Sequence, residues 1–327
     1  MSASTTAVAP PTVQADRVAP KTILALSIAE AKRQLRYPVL LAGAALAAWL
    51  SIRLWGHGEP VQDWENQNYT IFLLTWAPLY LAAFIAANTA ALRERESTTA
   101  EMFRSAPTRY SDRTLGLLAA GLVPTALAAV LAAIQLGVIA HAGGITVGNQ
   151  AVQLTPTVVE MALVPATTAA AFACGVALAR TIKSRAFGAI LAGTATYVFF
   201  AGFWVFYWFP GYFLAPYATS LQTVDLGQEL TGGELTRAHM LSAPKYDADW
   251  GHWSVLMRDV DLVGWHIVYL MGLALLLAAY AVWRSGRDRR ARWLLLSGAA
   301  LTIGGLALHM ATFGGPFDWW GLMYGAE

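Results

Sequence analysis

One cysteine occurs in 327 residues, and it lies inside an apolar run. A lone Cys174 excludes a disulfide framework and any cysteine-based metal site within one chain. Charge is scarce as well. Asp, Glu, Lys and Arg make up 13% of the residues, about half of the roughly 25% with which a soluble domain covers its core. So thin a polar coat excludes an ordinary cytosolic enzyme, a nucleic-acid-binding protein and a disordered scaffold. The nucleotide-cradling GxxxxGK[ST] pattern is missing, and Gly143-Gly144, followed by no Lys-Ser/Thr, reads as a turn. No HExxH occurs. The histidines His57, His141, His239, His252, His266 and His309 offer no i, i+4 pair with which one helix face grips a metal, so no metal site is expected.

What abounds is apolar sequence: 57% of the chain, with a mean hydropathy of +0.47. It comes in runs of about 20 residues, the length that crosses some 30 Å of hydrocarbon as a helix. Seven runs qualify, at 39–55, 70–92, 114–140, 157–179, 186–209, 262–283 and 293–313. The expected fold is an all-α integral membrane protein, six spans plus a seventh near the C-terminus. Pro124 is expected to kink or tilt the long third span.

The distribution of basic residues orients the spans. Alternate connections hold Arg17, Lys21, Lys32, Arg33 and Arg36; Arg93, Arg95, Arg104, Arg109 and Arg113; Arg180, Lys183 and Arg185; and Arg284, Arg287, Arg289, Arg290 and Arg292. The other side has only Arg237, Lys245 and Arg258 among many acids. Cytoplasmic loops carry the excess of Lys and Arg, so a cytoplasmic N-terminus and an outward C-terminus in a cell membrane are expected. Residues 1–21, rich in Ala, Pro and Thr, read as a disordered cytoplasmic tail and not as a cleavable signal. Trp55, Trp64, Trp76, Trp204, Trp208, Trp265, Trp283, Trp293, Trp319 and Trp320 fall near span ends, as in an aromatic belt.

Ionisable groups within the spans are few: Arg53, Glu160, His309 and, at the head of the sixth span, His266. Arg53 is expected to snorkel to the interface. Glu160, a turn from the end of the fourth span, fits two readings: a polar residue on a transport path, or a carboxylate that is solvated or hydrogen-bonded between helices. From 22 to 37, Leu24, Ile28, Ala31 and Leu35 form one helical stripe with Ser27, Glu30 and Gln34 opposite, and Pro38 ends the segment. That pattern suits an amphipathic interfacial helix that meets membrane lipids and turns into the first span; a plain extension of that span is the alternative.

The most distinctive stretch joins the second and third spans: Arg93-Glu94-Arg95-Glu96-Ser97-Thr98-Thr99-Ala100-Glu101-Met102-Phe103-Arg104-Ser105-Ala106-Pro107. Thr98 or Thr99 can cap a short helix whose Glu101 favours its positive end. Met102 and Phe103 then stand out from a charged surround, as a plug for a partner's groove or as a membrane-surface anchor. This segment resembles the second cytoplasmic segment of type-2 ABC exporter permeases, E-R-E-x-G-T-x-E-x-L-x-x-x-P with a Gly nine residues after the Pro. Glu94, Arg95, Glu96, Thr99, Glu101, Pro107 and Gly116 are in register, whereas Thr98 stands for the usual Gly and Leu117 where Lys is common.

The resemblance implies an exporter permease that dimerises with a second copy or a homologous permease. It implies docking of two ATP-binding cassette subunits, which hold ATP and Mg, through a coupling loop at 93–113. Glu94, Glu96, Thr99, Glu101, Met102, Phe103, Arg104 and Pro107 carry that contact. It further implies an outer gate in the extracytoplasmic region 210–261, with Phe209, Pro210, Gly211 and Tyr212 at its broken helix; a simple end to the fifth span fits the same four residues equally well. The permease domain then covers 38–284, and 285–327 adds a basic loop, an extra span and the outward C-terminus. No catalytic residue is expected in this chain. A secondary transporter, or a membrane-embedded enzyme or assembly factor, is the competing reading.

Overall fold

A computed structural model describes residues 20–55, 75–93, 108–147, 152–182, 184, 186–188, 190–191, 193–194, 218, 220–227, 245–247, 252–286 and 288–312. Proline, which lacks the N–H that a first helical turn leaves unpaired anyway, opens the first two helices. Helix α1 runs Pro20–Gln34 and α2 Pro38–Trp55, so the helix begins two residues inside the stretch expected to be a tail. The chain bends by 57° between them. The apolar stripe of α1 points away from the bundle, with Leu24, Ile28 and Leu35 exposed, while Gln34 on the opposite face is buried. That buried face lies on α4 (Tyr110–Ala120), where a Cβ on Gly116 would come within 3.0 Å of the Leu26 Cβ. Gly116 thus has a packing reason to lack a side chain.

Helix α3 (Ala77–Leu92) has Pro78 in its first turn. It is shorter than the expected second span, whose residues 70–74 lie outside the described residues. Helices α4 and α5 (Leu122–His141) form one 32-residue apolar stretch. They part at Gly121, three residues before Pro124, because the proline ring has no hydrogen for the carbonyl four residues back. Gly143 and Gly144, at positive φ of 88° and 103°, then turn the chain into a β1 (Ile145–Val147) and β2 (Val152–Leu154) hairpin. Helix α6 (Val158–Thr181) follows, capped by Thr157.

Of the expected fifth span, only scattered residues from 186 to 194 are described, and those assigned are helical. Beyond it, β3 (Leu221–Gly227), β4 (Lys245–Asp247) and β5 (His252–Arg258) form an antiparallel sheet in the order β3-β5-β4. The all-helical expectation omitted these strands. Neither Leu221-Gln222-Thr223-Val224-Asp225 nor Val255-Leu256-Met257-Arg258 has a period of two; β-branched Thr223, Val224 and Val255 are what suits them to strands. Helices α7 (Val260–Gly286) and α8 (Arg289–Thr312) close the fold as a hairpin.

Four helical stretches are long and apolar enough to cross a membrane, or five if the bent α1–α2 pair is one span: Tyr110–His141, Val158–Thr181, Val260–Gly286 and Arg289–Thr312, with the pair making the fifth. The chain is mostly helical, as a membrane protein that must satisfy its backbone within each span requires. Helix α6 is central, packed on α3, α5 and α7, with 67% of its most apolar stretch buried against 17% in α8. The main core gathers Leu40, Leu79, Ile139, Leu163, Val164 and Leu270.

Lipid is as apolar as leucine, so close packing of small residues rather than water exclusion holds such helices together. On α8 the buried positions Ala291, Gly298 and Gly305 repeat every seven residues and face α7. A Cβ on Gly305 would sit 2.5 Å from the backbone nitrogen of Tyr269, which has no room to yield. Neighbouring Gly304 meets nothing within 4 Å. Gly305→Ala should therefore destabilise the protein by about 1–3 kcal/mol. Gly304→Ala should be neutral or mildly stabilising, since alanine favours helix by roughly 1 kcal/mol. Paired thermal unfolding curves in detergent check both.

Candidate functional site

The expected coupling residues Glu94, Glu96, Thr99, Glu101, Met102, Phe103, Arg104 and Pro107 lie outside the described residues, and so do Phe209, Pro210, Gly211 and Tyr212. Both roots of the segment 94–107 are described, and each is held by an arginine. Arg93, directly after α3, donates to Glu30 of α1 at 2.7 Å; Arg33 donates to the other oxygen of Glu30, also at 2.7 Å. At the far root, Tyr110 opens α4. Its ring carries the guanidinium of Arg180 4.3 Å from the centroid, and its hydroxyl accepts from the same group. Arg180 ends α6 and is 2% exposed. The sequence counted it in a basic connection; here it is buried and its charge rests on an aromatic face.

Two residues on, Asp112 is buried and accepts from Arg290 at 2.8 Å, joining α4 to the start of α8. Thr114 and Ser285 share a buried hydrogen bond of 2.7 Å beside it, joining α4 to the end of α7. The contacts gather basic residues from four separate connections at one end of the bundle, hereafter the basic end. They bring α1, α6 and the α7–α8 hairpin to the roots of one segment.

Glu160 sits at the opposite end. It is the N3 residue of a capping box: Thr157 N–H donates to its carboxylate at 2.6 Å, and Thr157 Oγ1 receives the Glu160 N–H at 3.2 Å. Arg258 of β5 donates to the same carboxylate at 2.5 Å and to the Thr155 carbonyl at 2.9 Å. Ser220 donates to its second oxygen. A carboxylate so occupied fastens the sheet to α6. The expected hydrogen bond between helices is not what these contacts make: they run to the helix's own cap, to a strand and to Ser220.

Two further groups were not legible as partners. His266 and His309, each taken singly in the sequence, meet between α7 and α8 with Nδ1 atoms 3.1 Å apart, and neither is exposed. The contact requires a hydrogen on one Nδ1 and none on the other, so the rings hold different tautomers. Their signal was depth: His266 precedes Arg287 by 21 residues and His309 follows Asp288 by 21, equal distances along the two arms of a hairpin. Among the described residues, no cluster of three or more His, Cys, Asp or Glu gathers that would hold a metal. Trp76, expected in the aromatic belt, is 1% exposed. Its Nε1–H donates to Gln135 at 2.8 Å, and Gln135 donates to Ser51 at 3.3 Å, tying α3, α5 and α2. Trp283 and Trp293 are exposed as a belt requires, and Arg53 lies 6.0 Å from the ring of Trp49.

No protein-family model matches the chain, and no curated protein matches it either. Function has to be argued from the arrangement itself.

Removing Arg290 would leave the Asp112 carboxylate buried without its cation. Arg290→Ala should lower stability by about 1–3 kcal/mol, moderated by the half-exposed position of the arginine. Adding Asp112→Asn should recover much of the loss, because the uncompensated charge is gone. A double-mutant cycle on melting temperatures in detergent checks the sign and the coupling.

Proposed function

We propose that the chain is the membrane-spanning permease subunit of an ABC transporter, an exporter driven by ATP hydrolysis on separate subunits. The observation that carries this is the convergence of α1, α6 and the α7–α8 hairpin on the two roots of segment 94–107. A docking segment does mechanical work only if its displacement reaches the spans. Here Arg93 pulls on the bent α1–α2 pair, Tyr110 on central α6, and Asp112 on the hairpin. The resemblance of residues 94–116 to the coupling segment of type-2 exporter permeases supplies the partner: two ATP-binding cassette subunits that hold ATP and Mg. The basic end then faces the cytoplasm, the sheet of residues 221–258 lies outside as part of a gate, and two permeases assemble per transporter. The extra hairpin arm α8 stiffens the exit from the coupling segment through Arg290. Substrate passes along a path lined by this chain and its partner permease.

A secondary transporter is the alternative, favoured by one observation: the His266–His309 pair is an ionisable group buried between spans. Collapse of the proton gradient would stop such a protein, whereas loss of ATP stops the first.

The docking face is the sharper test. Apolar anchors at the centre of a contact carry about 2 kcal/mol or more each, and rim charges less. Met102→Ala/Phe103→Ala should uncouple transport and release the ATPase at normal membrane expression, with Arg109→Ala mild by comparison. Undiminished capture of the ATPase by the double variant would remove the docking assignment.

A further inference from the structure

The base of the α7–α8 hairpin carries a second surface, apart from the docking segment. Arg284, Arg289, Arg290 and Arg292 gather there, and their acids are Asp112 and Asp288. Asp112 takes the Arg290 guanidinium, and Asp288 accepts the Arg290 backbone N–H at 3.0 Å. Arg284, Arg289 and Arg292 are exposed, and their side chains form no ion pair or hydrogen bond among the described residues. The base therefore keeps an excess of positive charge.

Two of these cations head an apolar stripe. Arg289, Arg292, Trp293 and Leu296 fall at i, i+3, i+4 and i+7 of α8, one face of a helix. Ile303 continues that face two turns further on. Ala291, Gly298 and Gly305 are the side of α8 that meets α7, so the stripe is turned outward, with Trp293, Leu296 and Ile303 all exposed. Lipid or another protein covers such a face. A second copy in the same membrane has the same orientation, so stripe against stripe would set Arg289 and Arg292 against their like. Charge disfavours that contact and favours an anion.

We infer that this face binds an anionic phospholipid. Its phosphate accepts from the guanidiniums of Arg289 and Arg292, neighbours on the helix surface and unpaired in the protein. Trp293 lies at the level of the headgroup, the place to which its amphipathic ring is suited, and an acyl chain runs along Leu296 and Ile303. The bound lipid offsets the repulsion between the two arginines and steadies the first turn of α8, from which Arg290 reaches Asp112. A free phosphate offers the same oxygens but nothing to the apolar part of the stripe. The inference rests on the membrane location of the chain and not on its being a permease.

The test uses the full chain in a neutral detergent. The probe is dioleoylphosphatidylglycerol, compared with dioleoylphosphatidylcholine, which has the same acyl chains and no net charge. The anionic lipid should raise the melting temperature by several degrees and stay bound in native mass spectrometry, and the zwitterionic one should do neither. Arg289→Gln/Arg292→Gln leaves Arg284, Arg287 and Arg290 to hold the topology, and without lipid it should melt no lower than the parent. It should bind the anionic lipid roughly thirtyfold more weakly, the loss expected when two cations are withdrawn from an anionic headgroup. Equal affinity of the parent and the double variant, or an equal shift with both lipids, overturns the site. Millimolar inorganic phosphate should give no shift; if it reproduces the whole shift and displaces the lipid, the face takes soluble phosphate and the lipid assignment fails. Efficient disulfide formation between two Cys174→Ala/Leu296→Cys chains, in membranes that contain the anionic lipid, would put a second copy on the face and also overturn it.

Discussion

Arg290 and Asp112 meet at 2.8 Å, and through that contact the last two helices are joined to the helix that leaves segment 94–107. An ion pair with one buried member is a poor source of net stability, since desolvation offsets most of the attraction. Its value is specificity: the carboxylate has one place to be, and so has the hairpin. The same logic applies to Arg180 on Tyr110 and to Arg93 on Glu30. Three cations, of which only Arg180 is buried, pin the ends of one short segment, and each belongs to or contacts a different part of the bundle. Charge in this protein is rare, and among the described residues buried Asp112 and Arg180 both lie at this end.

Elsewhere the bundle is held by proximity. The heptad Ala291, Gly298, Gly305 lets α8 lie against α7 along its length while leaving Trp293, Leu296 and Ile303 facing outward. The seam runs from Arg290 at one end to His266 and His309 near the other. The opposite end has its own clamp, Glu160 with Arg258 and Ser220, which fixes the small sheet to the most buried helix. The bundle thus has an anchor at each of its two ends.

Most of the helices were legible because a run of some twenty apolar residues has few other uses. Their local breaks were less so: Pro124 announced a kink, but the turn fell at Gly121, where the missing hydrogen bond is felt. The strands were hidden because neither Leu221–Gly227 nor His252–Arg258 alternates apolar and polar residues, so neither shows the period of two that marks a half-buried strand. Thr157-x-x-Glu160 is a capping-box pattern visible in the sequence, yet the carboxylate was weighed as an intramembrane charge. Trp76 was assigned by its nearness to a span end, whereas its Gln135 partner 59 residues away could be found only by folding. Counting basic residues by connection does not tell Arg180, buried on a ring, from Arg36 in the open. Residues 94–107 and 209–212, which carry most of the expected site, lie outside the described residues.

The central claim is that segment 94–107 sits in a groove of an ATP-hydrolysing subunit, and proximity labelling tests it most directly. In a chain with Cys174→Ala, Phe103→Cys gives a single thiol for a short cross-linker in native membranes, with the adduct identified by mass spectrometry. The account predicts one major adduct, to a separate polypeptide that carries the GxxxxGK[ST] nucleotide-binding pattern. Adducts to lipid alone, with no such polypeptide at position 103 or at Met102→Cys, would contradict it.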